Sequence, residues 1–334
     1  MESRTVLTRA EAREAMQQML RVEVSDIEVA ALLGALAGRG ETAEEIAGFS
    51  DAMRAAVTPL PLEESERSKL VDTCGTGGDQ SGTFNISTAA ALVAAAAGAT
   101  VAKHGNRAVT SRCGSADVLE ALGIPVNLTP AAGATMLRAR RFAFLHAPSL
   151  HPAMKAVMPV RRRLGVRTVF NILGPLTNPA GALAQVMGVY QARLVHVVAQ
   201  AMAMLGTRHA FVVFGETDLG GMDEFSISGT SHFAEVRGGE VRLGSLIPED
   251  LGVDRVPVEV LRGGGAEVNA GILRGIFAGE RGPRRDVVVL NAAAVLVTAG
   301  LAADLAEGMR VAGATIDRGE VTALVARLGE SAGE

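Results

Sequence analysis

The sequence predicts an α/β fold with a small all-α domain, its centre a mixed, mainly parallel sheet flanked by helices. Three observations carry this. The first sixty residues repeat one helix-start signal three times. From Lys69 onward, short apolar segments alternate with Ala/Leu-rich helical stretches. Near 230–243, SHFAEV and EVRL flank a Gly-Gly, which is hairpin chemistry and adds an antiparallel element. The chain has 334 residues, 48% of them apolar, enough for one large or two ordinary domains with a core.

In order along the chain, Thr8 with Glu11, Ser25 with Glu28 and Thr42 with Glu45 form three capping-box patterns, each followed by apolar residues at helical spacing. TPLPLEE (58–64) reads as a linker, and the main domain starts near Lys69. AFVVFG (210–215) reads as a buried strand. The longest apolar run, 89–102, falls short of the roughly 18 to 20 residues of a membrane span, so no membrane partner is expected. The N-terminus lacks the apolar core of a secretory signal. Cys74 and Cys113 form neither a disulfide framework nor a zinc pattern, which suits a reducing compartment, and the expected location is the cytoplasm. A net charge of −4, no tryptophan and one tyrosine argue against a nucleic-acid partner.

The stretch DTCGTGGDQSGTFNIST (72–88) holds Gly75, Gly77, Gly78 and Gly82, more than an ordinary turn uses. The dinucleotide pattern G-x-G-x-x-G fails because Gln80 stands at its sixth position. The P-loop pattern fails because Thr83-Phe84 follows Gly82 where Lys-Ser/Thr is required. What remains is a glycine-rich turn feeding a strong helix former whose first turn carries Asn85, Ser87 and Thr88. Free N–H groups and the helix dipole suit an anion there; a plain cap and turn is the other reading.

KHGNRAVTSRCGSADVLEALG (103–123) gathers Lys103, His104, Asn106, Arg107, Ser111, Arg112 and Ser115. Its basic residues alternate with Gly, Ser and Asn rather than with acids, as in a loop that wraps an anion instead of pairing with itself. In GMDEFSISG (221–229), Asp223 and Glu224 are either surface charge or magnesium ligands beside a polyphosphate. In HPAMKAVMPVRRRLGVRTVFNILGPLTNPA (151–180), Arg161 follows an apolar helical stretch, and its fork suits a substrate carboxylate.

GTGGD followed by NIST, KHGNRAV, GSADVLEALG, HPAM, VRTVFNILGPLTNPA and DE after GGM, in this order over 72–226, resemble the anthranilate phosphoribosyltransferase family. Its members join anthranilate to phosphoribosyl pyrophosphate (PRPP) in tryptophan biosynthesis. Two departures are Thr110, where the family often has serine, and Phe225, where a smaller aliphatic residue is common. The resemblance implies a nucleoside phosphorylase/phosphoribosyltransferase-type fold. A small helical domain, 1–65 plus roughly 155–190, would lie on the dimerisation side of a homodimer. A large α/β domain, 66–154 plus 191–334, would face it across the active site.

The resemblance places the PRPP site at Gly75, Gly78, Asp79 and Thr83, then at Asn85, Ile86, Ser87 and Thr88. It continues through the loop Lys103, His104, Gly105, Asn106, Arg107, Ala108, Val109, Thr110 and Ser111, and ends at Ser115. It implies Ser87, Asp223 and Glu224 as Mg2+ ligands, and Gly75, Asn106 and Arg161 as anthranilate contacts. His104 and His151 either line the aromatic pocket or are satisfied structure. No residue is implied as catalytic acid or base, because an aryl amine is already neutral; orientation and electrostatic stabilisation would carry the reaction, with inversion at the ribose carbon. Two alternatives differ in class. A pyrimidine nucleoside phosphorylase would carry a KHSTGG-type loop, and this chain reads KHGNRA. A non-catalytic nucleic-acid-binding relative would lose the acidic pair and gain a basic face.

Overall fold

The computed structural model describes residues 6–108 and 112–330, so Val109, Thr110 and Ser111, named above, lie outside the described residues. The chain begins with three helices, α1 (Arg9–Leu20), α2 (Asp26–Arg39) and α3 (Ala43–Ala55). All three capping boxes form: each Ser or Thr side chain accepts from the backbone of the Glu three residues on, and that Glu reaches back to the cap amide. Glu45 does more than cap. It is fully buried, and its carboxylate also binds Arg39 at 2.6 Å and the Leu7 amide at 3.0 Å, tying the end of α2 and the chain start to α3. The 58–64 stretch runs without regular structure until the short helix Glu64–Arg67, but buried Leu60 and Leu62 anchor it to the large core.

Eight strands then form one sheet: β1 (Leu70–Gly75), β2 (Thr100–Gly105), β3 (Phe142–His146), β4 (Ala184–Gly188), β5 (His209–Thr217), β6 (Gly220–Met222), β7 (Ser231–Arg237) and β8 (Glu240–Leu246). Their order is β3-β2-β1-β4-β5-β7-β8, with β6 pairing β5 off this path. β1 to β5 are mutually parallel, while β6, β7 and β8 pair antiparallel, so the sheet is mixed and mainly parallel as the alternating texture predicts. The β7–β8 turn is Gly238-Gly239, with φ of +59° and +87°, the double left-handed turn that a two-residue hairpin needs. β4 lies at the sheet centre, so the helical excursion expected over roughly 155–190 gives way to strand at Ala184.

Two apolar clusters flank the sheet. One joins α1 to α3 with Val157, Val160, Phe170 and the helix Leu194–Met204. The other surrounds the helices Ile86–Ala96 and Pro283–Thr298, whose small and branched residues pack closely. Strand order reverses at β1, with β2 on one side and β4 on the other. In an open parallel sheet such a switch opens a crevice at the carboxyl ends of the two strands, here Gly75 and its register partner Gly188.

Candidate active site

Loop 76–85 leaves β1 at this crevice and turns back through Gly77, Gly78, Gln80 and Gly82, all at positive φ. A β-carbon is tolerated there with strain at Gln80 alone; the three glycines follow the turn without it. The loop leads into the helix Ile86–Ala96, whose N-cap Asn85 makes no side-chain cap. Instead the Asn85 amide donates to the Cys113 carbonyl at 3.2 Å and accepts from Asn269 at 2.8 Å, bracing the loop against the neighbouring 103–115 segment. Thr83 forms an isolated antiparallel bridge with Arg262, and Ile86 and Thr88 are buried in the first helical turn.

The free helix start is served by an acid. The Ser87 amide donates to the Glu224 carboxylate at 3.0 Å, and the Gly77 amide donates to Asp223 at 2.7 Å. Asp79 accepts from the Asp223 amide at 3.4 Å and from the Ser81 hydroxyl at 2.6 Å. Gly75, Asp79, Ser87, Asp223 and Glu224 are therefore brought together over the end of β1. Burial, reinforced by Asp79, pushes the Asp223 carboxyl up to about 7; burial and Asp223 push Glu224 up to about 8.

Beneath them lies Lys103, fully buried on β2. Its ammonium donates to the Thr73 carbonyl at 2.6 Å and to the Ser87 hydroxyl at 3.4 Å. Burial lowers its pKa, and the surrounding acids Asp72, Glu224 and Asp223 oppose that shift. His104 follows; its ring Nε2 is 3.2 Å from Nε2 of His151, and both rings are buried. Burial depresses His104 to about 3 and His151 to about 4, so the pair is neutral.

In the next loop Arg107 is paired within the protein: its guanidinium grips Glu120 at 2.5 and 2.6 Å and Asp117 at 3.3 Å. The physical reason is the helix Ser115–Ala121, which turns its acids back onto the loop that precedes it. Asp117 also accepts the amides of Ala108 and Gly114, and the Asn106 side chain accepts from the Arg107 amide. Gly105 ends β2 with a β-carbon position 3.3 Å from the Ser115 Cβ.

Arg161 sits in the helix Met158–Leu164, half-buried, its guanidinium 5.0 Å from the Phe170 ring. Among the described residues it makes no ion pair, and no hydrogen bond joins it to Gly75 or Asn106. Burial lowers its pKa, the state of a cation that has lost water without gaining an anion. Cys74 and Cys113 are not joined in a disulfide.

Sequence reasoning missed three residues. Asp72, buried in β1 and pushed by burial up to about 6, accepts from the His104 amide at 3.1 Å and from Asn178 at 2.8 Å. An acid inside an apolar strand was the available signal. Asn291, alone among apolar neighbours in VVVLNAAAVLV, carried a similar one. Arg167 carried none: it donates to the Gly78 carbonyl and stacks over Tyr190 at 4.5 Å.

The chain matches the glycosyl transferase family in both parts, the a/b domain over residues 67–322 and the helical bundle domain over residues 3–57. It is 52% identical over 327 residues to the anthranilate phosphoribosyltransferase of Pelotomaculum thermopropionicum, covering 98% of this chain and 93% of that protein. It is 50% identical over 322 residues to that of Anaeromyxobacter sp., covering 96% and 94%. Among solved structures, anthranilate phosphoribosyltransferase from Thermus thermophilus superposes with a TM-score of 0.91 at 45% identity, covering 98% of this chain and 96% of that one. The Saccharomyces cerevisiae enzyme in complex with PRPP and Mg gives 0.84 at 27% identity, covering 97% and 93%.

Proposed function

From the premise that this chain belongs to the glycosyl transferase family, and within it to the anthranilate phosphoribosyltransferases, we propose that it transfers the phosphoribosyl group of PRPP to the amine of anthranilate. The products are N-(5-phosphoribosyl)anthranilate and pyrophosphate, a step of tryptophan biosynthesis. The observation that carries the reading is the acidic pair set over the end of β1 and the start of the helix Ile86–Ala96, where the turn amides of a phosphate cradle also converge.

In this reading the glycine loop binds pyrophosphate through its amides, with Ser87, Thr88 and the Lys103–Ser111 loop completing the PRPP site. Asp223, Glu224 and the Ser87 hydroxyl are the Mg2+ ligands. The fit is chemical: two carboxyls whose pKa values are raised by burial and by neighbouring acids, Asp79 for Asp223 and Asp223 for Glu224, would be relieved by a dication, and Mg2+ takes one or two carboxylates plus substrate oxygens. When bound, the ion supplies charge neutralisation to the leaving pyrophosphate. Arg161 binds the anthranilate carboxylate, its guanidinium backed by Phe170. Gly75 and Asn106 complete that subsite, and the neutral His104 and His151 pair forms an uncharged wall suited to an aromatic ring.

The amine lone pair then attacks the ribose carbon from the face opposite pyrophosphate. A C–N bond forms as the C–O bond breaks, and the ammonium proton is lost after the transition state. Orientation and charge stabilisation carry this step, and no side chain serves as general base.

We assign the small helical part to 1–65 plus roughly 155–190, with β4 given to the sheet, and the large part to 66–154 plus 191–334. A homodimer formed through the helical part is supported by the exposed apolar Val22 and Ile27 there. Two cysteines without a disulfide suit the cytoplasm, and among the described residues no helix is long and apolar enough to cross a membrane. Loss of anthranilate fluorescence with PRPP and Mg2+ tests the activity. Phosphate-dependent cleavage of thymidine without anthranilate consumption would instead establish the phosphorylase reading.

A further inference from the structure

The helix Pro283–Thr298 is buried along most of its length, and Asn291 stands in its apolar middle with 1% of its surface exposed. A buried amide costs stability unless its donors and acceptor are matched. Here all are used. The Asn291 oxygen accepts from the Phe225 amide at 3.0 Å, while its nitrogen donates to the Phe225 carbonyl at 2.9 Å and to the Val287 carbonyl at 2.9 Å. One side chain thus reads both backbone groups of one residue, as a neighbouring strand would.

That residue follows Glu224 directly. The 223–228 segment lies outside every strand, and side chains take over the bonds a ladder would give. Ser226 and Ser228 are bonded through hydroxyls of Ser231 and Ser226, and Phe225 through Asn291. The Phe225 ring adds a second hold, meeting Phe211 edge-on at 5.8 Å. The acids themselves are held from above by the Gly77 and Ser87 amides, groups that belong to the phosphate loop. Asn291 holds the same segment from the helix Pro283–Thr298.

We propose that Asn291 is a positioning residue that fixes Asp223 and Glu224 for cation binding, by locking the peptide units on either side of Phe225. The proposal rests on the reading of this acidic pair as the Mg2+ ligands. It does not make Asn291 a ligand: its amide is saturated by backbone, and it acts through Phe225.

The test measures Mn2+ binding by the full-length enzyme in the presence of PRPP, from the free-ion electron paramagnetic resonance signal, for Asn291→Asp, Asn291→Ala and Leu290→Ala. Asn291→Asp keeps the shape and removes both donated bonds; Asn291→Ala serves if a buried carboxylate prevents folding. Leu290→Ala opens a cavity in the same helix and controls for lost stability. The Asn291 variants should weaken Mn2+ at least about tenfold, as outer-shell substitutions do, with the KM for anthranilate unchanged. Leu290→Ala should bind Mn2+ as the wild type does, even where its melting temperature falls as far. Equal Mn2+ affinity in the Asn291 and Leu290 variants would overturn the proposal. The double variant Asp223→Asn, Glu224→Gln separates the two layers: if it binds Mn2+ normally, the metal reading fails and this proposal with it; if it loses Mn2+ while the Asn291 variants keep it, only this proposal fails.

Discussion

Gly188, the last residue of β4, lies directly against the backbone of Asp223, so closely that a Cβ on it would overlap the Asp223 carbonyl oxygen. Its register partner Gly75 stands in the same relation to the Asp223 carboxylate. The acidic loop descends onto the strand ends only because both positions lack a side chain.

Gly188→Ala should therefore move the loop. Overpacking at a tight site costs about 1 to 3 kcal/mol, and the obstacle is backbone, which cannot swing aside. The melting temperature should drop, and more Mg2+ should be needed for half-maximal rate. A wild-type magnesium curve for this variant would show that the loop relaxes without disturbing the acids.

Asp223→Asn with Glu224→Gln keeps size and removes two charges. The rate should fall steeply, and the Mg2+ requirement should rise. Stability should change with a definite pH signature. The fold raises these carboxyls to about 7 and about 8, so between the ordinary carboxylate range and those values the native state binds more protons than the unfolded chain. Wild-type stability then falls as pH rises through that window, and the double amide lacks this loss. With metal chelated, the melting-temperature advantage of the double amide should widen from about pH 5 to about pH 8; a constant difference would count against buried, interacting carboxyls.

Arg161→Ala should weaken anthranilate far more than PRPP. Losing one charge-assisted contact costs about 1.5 to 3 kcal/mol, or roughly one to two powers of ten in affinity. Calorimetry with each substrate separately measures this. Equal damage to both would mean that Arg161 supports the fold through Phe170 and Met158 rather than binding a carboxylate.

The His104–His151 pair gives the opposite pH slope. Its rings resist protonation down to about 3 and about 4, while the unfolded rings titrate near 6.5. Between these limits the unfolded chain binds more protons, so the pair's contribution is complete above about pH 6.5 and is lost as pH falls. Nitrogen-15 spectra of labelled histidine should show both rings neutral at about pH 5. Replacing both by glutamine should flatten the acid side of the stability curve.

The architecture was legible wherever local chemistry decides structure. Thr8, Ser25 and Thr42 cap as their spacing says, because a capping box is complete within four residues. The Gly238-Gly239 turn fixes its hairpin for the same reason. The site was legible as motifs, since the glycine loop and the acidic pair announce their types. Long-range pairing was not legible. Nothing within 103–111 shows that Arg107 will be claimed by Glu120, because that depends on where the next helix turns its acids. Asp72 and Asn178 are separated by 106 residues and meet only once β1 and the 170–180 segment are packed together.

Arg167 has a consequence for the order of events. It reaches from the stretch just after the Arg161 helix to the Gly78 carbonyl, and its guanidinium rests on Tyr190, whose amide is bonded to Thr76 at 3.1 Å. In the reading proposed above, the turn that holds pyrophosphate and the segment that holds the anthranilate carboxylate would thus share one latch, and a ligand tightening either end would act on the other. Linkage makes such an effect reciprocal: whatever factor PRPP applies to anthranilate affinity, anthranilate returns to PRPP. On that reading the two substrates would share a single binding equilibrium, in which neither affinity is a property of its own subsite alone.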